Sequence, residues 1–177
     1  AGIDLPNIGQ QVDDFLGHNR PVSDNTLFTV WGGGNDVFNA LDEELDNWFS
    51  VDGQNVIDAG VSAARNVAQA IDRLATAPGQ GGAGAKHVLW PNLPPLHRVP
   101  KANFMPFFDD NGWDNEDYVE LYDAVELAST SYFNAQQNYE IRQLEAKHTG
   151  LNIHKLDVLA LTLDALANPD DYGLTET

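Results

Sequence analysis

Cysteine is absent from the 177 residues, so neither a disulfide nor thiolate chemistry is available to this chain. That absence does not fix a compartment, because a domain of this size can fold unbridged in an oxidising one. Basic residues are scarce: nine Lys and Arg stand against 27 Asp and Glu, a formal charge of −18. Phosphate contact needs clustered cations, so nucleic acid and anionic membrane surfaces are excluded as partners. No apolar run approaches membrane-spanning length, and the first residues lack the basic start and apolar centre of a signal peptide, so a soluble chain is expected. With no internal repeat, residues 1–177 read as one domain large enough to bury a sizeable core.

What is present is organised around Leu27-Phe28-Thr29-Val30-Trp31, a short run of β-formers that stops at Gly32-Gly33-Gly34 before Asn35, Asp36 and a helical pattern. This predicts strand, tight turn, helix. At the C-terminal end of a parallel strand, a glycine turn brings backbone N–H groups and short polar side chains to a ligand. Asn35 is the residue best placed for that contact.

Upstream, Ile8, Val12, Phe15 and Leu16 share one face of a short helix ending near Gly17. After the turn, Asp36 can cap a helix with Val37, Leu41, Leu45 and Trp48 on one side, leaving Asp42, Glu43, Glu44 and Asp46 to water. A long helix is predicted over 54–76, with Ile57, Val61, Ala64, Ala68, Ile71 and Ala75 as its stripe. A second strand follows at 86–90, then a loop over 91–106 holding five of the nine prolines and bordering the same edge as Asn35. The acidic, aromatic stretch 107–117 has oxygen ligands in number, but lacks the Asp-x-Asp-x-Asp-Gly spacing and distal Glu of a calcium loop, so a solvated or substrate-facing loop is expected. A helix over 118–147 carries Tyr122, Val125, Tyr132, Phe133, Gln136, Tyr139 and Leu144, and a strand at 153–156 leads into a helix over 158–166. Strands separated by helices of crossover length indicate a parallel sheet with helices on both faces.

Gly33-Gly34-Asn35-Asp36 after an apolar strand resembles the Gly-x-Asn-Asp block of the GDSL (SGNH) lipase and esterase family. The similarity continues in order through Asp4-Leu5-Pro6, residues 10–16, Trp90-Pro91-Asn92-Leu93-Pro94-Pro95, Phe133-Asn134-Ala135 and Asn168-Pro169-x-x-Tyr172-Gly173. It is greatest to the secreted fungal members. The resemblance implies a three-layer, flavodoxin-like SGNH fold, secretion, hydrolysis of acetyl or short acyl esters, carbohydrate esters among them, and no cofactor or metal. It also implies that the Asn35 amide donates to the oxyanion, a role whose removal typically costs about 3 to 4 kcal/mol of transition-state stabilisation. Read without the matching flanks, Asn35 would simply close the turn and cap the helix.

That chemistry further needs a serine, a histidine and an orienting acid. The family's Gly-Asp-Ser block is not in these 177 residues, no Asp lies three positions before any of the five histidines, and none of the five serines has a Gly-x-Ser-x-Gly setting. The expectation is the middle of an SGNH domain, incomplete at both ends, with Gly33, Gly34, Trp31, Trp90 and His97 as substrate-side residues. As strand aromatics Trp31 and Trp90 are more often core, and a loop histidine such as His97 is more often simply exposed. Glu145-x-x-His148 has the form of a di-iron motif but lacks its second copy. Two other functions fit the pattern less or differently: a non-catalytic binding protein on the same scaffold, and a flavodoxin-like nucleotide module, which the missing basic residue beside Gly32 to Gly34 disfavours.

In the family's fold the nucleophile strand lies beside the strand read at 27–31, and each buried unsatisfied backbone group would cost about 1 to 3 kcal/mol against a net stability of ~5 to 15. Leu27 to Trp31 is therefore expected to be covered by a companion polypeptide outside this sequence or paired across an oligomer interface. Sedimentation and heating test this: a heat-stable monomer of 19.4 kDa with that strand paired on both sides within its own chain excludes both.

Overall fold

The computed structural model describes residues 6–18, 21–46, 51–99 and 115–174. The protein is α/β, with a small parallel sheet of three strands flanked by helices. Strands β1 (Leu27–Thr29), β2 (His87–Pro91) and β3 (Asn152–Leu156) lie in that order, β2 in the middle. Phe28, Val88 and Ile153 are aligned across the sheet, and the Val30 N–H donates to the Leu89 carbonyl one step beyond β1. Trp31 lies outside the ladder, because the glycine turn redirects the backbone there. Among the described residues β1 pairs with β2 alone.

Six α-helices accompany this sheet among the described residues. Helix α1 (Ile8–Gly17) begins in a capping box: Asn7 Oδ1 accepts the Gln10 N–H at 2.9 Å, and Gln10 Oε1 accepts the Asn7 N–H at 2.8 Å. Helix α2 (Gly34–Asp46) starts two residues before Asp36, which is thus a first-turn acid favoured by the helix dipole rather than the expected cap. Glu44, expected to face water, is buried instead. Its carboxylate accepts the Asp52 N–H at 2.8 Å and the Asn55 amide at 2.6 Å, joining α2 to the start of α3 (Gly53–Ala75). Trp48 lies outside the described residues.

Helix α3 is the spine, packed against α1, α2, and the long helical arm that contains α4 (Asn115–Leu127) and α5 (Phe133–Lys147). Small residues at Gly60, Ala63, Ala64 and Ala68 let neighbours approach. A Cβ at Gly60 would sit 2.8 Å from the Ala128 carbonyl oxygen.

The arm differs from one regular helix over 118–147 by a π-turn at Ala128–Tyr132. Ser129 Oγ donates to the Val125 carbonyl, Thr130 Oγ1 to the Glu126 carbonyl and Asn134 Nδ2 to the Thr130 carbonyl, all at 2.7–2.8 Å. Such side-chain bonds compete with the regular ladder, and a π-turn admits one extra residue. The consequence is a shift of register by one position. Phe133 and Leu144 are buried as the pattern expected, but Gln137 is fully buried in the place given to Gln136, and Tyr132 and Tyr139, expected on the same face, are exposed.

Burial in the sheet is one-sided. Phe28, Val30, Val88, Trp90 and Ile153 point under the helices. The alternate positions Leu27, Thr29, His154 and Leu156 are exposed, Leu27 by 53% and Leu156 by 44%, and His87 and Leu89 are half-buried. Helices on both faces were expected, since parallel sheets are ordinarily covered on both; among the described residues the second face has no such layer. Helix α6 (Val158–Ala167) follows β3 after Asp157 alone and buries none of its residues.

At the far end, Asp72 of α3 accepts Lys147 Nζ at 2.7 and 2.8 Å and His148 Nε2 at 2.6 Å. Burial works to raise the Asp72 carboxyl, but the hydrogen bonds from Lys147 and His148 outweigh it and hold the pKa below its ordinary value. A carboxylate depressed in the folded state stabilises above its unfolded pKa near ~3.9 and loses that contribution as pH falls through the folded value. Asp72→Asn is expected to lower the melting temperature at pH 7 by about 1 to 4 °C, from about 0.5 to 1 kcal/mol. The gap to the parent should close below about pH 4; a gap of constant size from pH 7 to 3, measured by thermal circular dichroism, would remove the assignment.

Candidate functional site

The parallel register puts the ends of all three strands at one edge. Gly33, at φ +112°, turns the chain out of β1; a Cβ there would lie 2.7 Å from Phe133 Cε2 and 3.2 Å from the Ala63 Cβ. Only glycine meets both constraints. Gly34 opens α2 beside the loop that follows β2, where its Cβ would be an ordinary 3.7 Å from Leu96. Asn35 occupies the first turn of α2, exposed, and its side chain forms no hydrogen bond within the described residues. The turn therefore does not use the amide as a cap.

Trp31 is 53% exposed and its indole N–H donates to the Asn92 carbonyl at 3.2 Å, so the end of β1 is tied to the end of β2. Trp31, Gly33, Gly34 and Asn35 are thus brought to the same edge as Asn92 and Leu96. Trp90 is not among the exposed residues there. It is fully buried, and its carbonyl accepts the Gln137 amide at 3.1 Å, which makes it core and removes it from a solvent-facing pocket wall.

His97 also departs from the exposed loop position expected for it. It is 4% exposed, enclosed within the short turn Leu96–Arg98, with its ring edge-on to Tyr122 of α4 at 5.4 Å. Arg98 Nε donates to His97 Nε2 at 3.1 Å. Burial lowers the imidazole pKa, Glu126 opposes this, and Arg98 adds to it. An enclosed ring of this kind holds the loop against α4.

Asn92, which the sequence offered only as part of Trp-Pro-Asn, is the hub of this edge. It is 1% exposed; its N–H donates to the Leu156 carbonyl at 3.0 Å, its side chain donates to Asp157 Oδ1 at 2.8 Å, and its Oδ1 accepts the Leu159 N–H at 3.0 Å. The Asn92 bond, with that of the Ala160 N–H, lowers the Asp157 pKa. Together with Trp31, one residue links β1, β2, β3 and α6. The available signal was a short amide directly after a buried strand, where polar groups need partners.

A cleft of about 390 Å³ reaches Gly33 and Asp36 from the α1 side, lined also by Asn7, Ile8, Asn66 and Arg73. Arg73 is occupied there, pairing with Asp13. Ser129 is fully buried and bonded to backbone, so it is no nucleophile. Glu145 and His148 are likewise engaged, Glu145 accepting the Ile153 N–H at 3.0 Å, and no cluster of three metal-ligating side chains occurs among the described residues. Most of the acidic stretch weighed for calcium lies outside them.

No protein-family model matches the chain, and no curated protein matches it. The geometry at Gly33 predicts an asymmetry between adjacent glycines. Gly33→Ala should cost about 1 to 3 kcal/mol through strain and the Phe133 contact, whereas Gly34→Ala, with free space and an ordinary backbone, should be neutral or stabilise by up to about 1 kcal/mol. Urea denaturation of both variants checks this; equal losses would place the constraint elsewhere.

Proposed function

We propose that this chain carries the oxyanion side of a GDSL-type carboxylic-ester hydrolase site. The observation that carries the reading is the Gly33-Gly34-Asn35 turn at the C-terminal edge of a parallel sheet, with the Asn35 amide exposed and uncommitted. An ester carbonyl held at this edge would gain negative charge on oxygen as a nucleophile adds, and an amide N–H fixed by the first turn of α2 is a suitable donor to that oxygen. Gly33 sets the direction of the turn, Gly34 leaves its backbone without a side chain at this edge, and Trp31 supplies an apolar wall beside it. Acetyl or short acyl esters, including those of carbohydrates, are the substrates the resemblance suggests, with secretion as the setting.

The serine and the Asp-x-x-His pair that complete such a site are not within these 177 residues. Hydrolysis would therefore draw them from a companion segment or chain, which would also lie along β1. The same observation favours one second reading, a non-catalytic binding protein that uses this edge to hold an acylated ligand.

Turnover of p-nitrophenyl acetate separates these possibilities. The 177 residues alone are expected to hydrolyse it no faster than a denatured control. A longer form that carries Gly-Asp-Ser and Asp-x-x-His segments should turn over, and Asn35→Ala in that form should lower kcat by about 10²- to 10³-fold. Robust turnover by the isolated chain, lost on Asn35→Ala, would mean that an unrecognised nucleophile exists here. A longer form insensitive to Asn35→Ala would remove the oxyanion assignment.

A further inference from the structure

The turn that follows β2 is fastened to the helical arm by a buried ionisable group that the proposed chemistry does not use. His97 is 4% exposed and lies edge-on against Tyr122 of α4. Its Nε2 accepts the Arg98 Nε–H at 3.1 Å, so the ring's proton sits on Nδ1, and Nδ1 is buried with no hydrogen-bond partner among the described residues. Protonation makes both nitrogens donors. One then faces a guanidinium N–H, itself a donor on a cation, and the other faces no acceptor. The slot that holds the neutral ring has no place for the charged one.

The groups around the ring give the charged form somewhere else to go. Burial disfavours it within the slot, Glu126 of α4 favours it, and Arg98 opposes it. Glu126 is exposed and stands one turn beyond Tyr122 on the same face of α4. With Tyr122 these are the ionisable groups in reach among the described residues; Ser129 of the π-turn and Gly34 of α2, which meet the neighbouring Leu96, carry no charge. A neutral ring therefore belongs on Tyr122, and a charged ring in water beside Glu126. Little else of a polar kind holds the turn down. The Leu96 N–H donates to Ser129 Oγ at 3.3 Å, while the Arg98 and Val99 N–H groups bond only to the carbonyls of Pro95 and Leu96.

We propose that the Leu96–Arg98 turn is a pH-sensitive latch, closed while the His97 ring is neutral and released when the ring takes up a proton. Closed, it keeps Leu96 beside Gly34 at the edge that bears Asn35; released, it uncovers that edge. A bearing on ester hydrolysis rests on the function proposed above, whereas the release itself does not. Burial sets the His97 pKa below its ordinary value of about 6.5, and release restores it. The released form thus binds more protons and gains population as pH falls below that value, by about tenfold per pH unit for a single proton, until the closed form also titrates.

Amide hydrogen exchange of the 177-residue chain, followed by NMR from about pH 7.5 to 5 and corrected for the intrinsic exchange rates, tests this without any substrate. The opening equilibria of the Leu96, Arg98 and Val99 amides should rise about tenfold for each pH unit below 6.5 or so. The amides of α3 should stay far better protected, and the His97 ring nitrogens should titrate over the same range, starting from the Nδ1–H tautomer. His97→Phe, which keeps an aromatic edge against Tyr122 and cannot titrate, should leave the three amides indifferent to pH. Amides that ignore pH in the parent, that open only together with α3, or that keep their response in His97→Phe would each overturn the proposal, as would a ring protonated on Nε2 at neutral pH. If His97→Phe does not fold, the tautomer and the joint titration of ring and amides in the parent decide.

Discussion

The close approach of α3 to the π-turn at Gly60 governs more of this molecule than any other contact. Since no side chain fits between Gly60 and the Ala128 carbonyl, the two backbones meet, and the arm accommodates this with an extra residue in its turn. That residue rotates everything after it. It brings Phe133 under Gly33 and Gln137 to the carbonyl of Trp90, so the glycine turn at the head of α2, which also meets Ala63, is shaped by a contact made one turn away on the same face of α3. The orientation of Asn35 thus rests on a packing constraint several residues and two elements away.

A second constraint acts at the strand ends. Asn92 satisfies backbone or side-chain groups from β3 and α6 while its own carbonyl receives the Trp31 indole. A polar network this enclosed is useful only when complete, because each buried group left unpaired costs about 1 to 3 kcal/mol. The edge therefore behaves as a rigid frame on which exposed residues such as Trp31 and Asn35 are mounted.

Much of the fold could be read from the sequence. The three strands were placed within two residues, and of the stripe read on α3 Ala64, Ala68, Ile71 and Ala75 are buried, while Ile57 and Val61 are half-buried and Val56, Val67 and Leu74 join the core instead. The π-turn was not readable, because Ser129 and Thr130 weaken a helix without saying how it yields, and the close approach of Gly60, far off in sequence, bears on the same turn. Glu44 and His97 were misplaced for a related reason: charge and loop context argue for exposure, but each is enclosed by partners from elsewhere in the fold or its own turn, Asp52 and Asn55 for the first, Arg98 and Tyr122 for the second. Composition registers polarity and cannot see such partners. At the candidate site, Gly33 and Asn35 were visible as turn chemistry, while Asn92 was not, since its role exists only once three strands have been aligned.

The alignment itself carries a cost that the finished structure conceals. Phe28 pairs with Val88, and Val88 with Ile153, so each neighbour in the sheet is some sixty residues away along the chain. Closing a flexible loop of that length costs about 3 to 4 kcal/mol in chain entropy before a ladder bond can form, and strands of three to five residues offer little in return. The α3 spine and the arm packed along it shorten those loops by making most of the intervening chain stiff. Assembly of the sheet is then a late event, paced by the docking of helices rather than by the strands' own affinity, and the edge that bears Asn35 comes into being only with that last step.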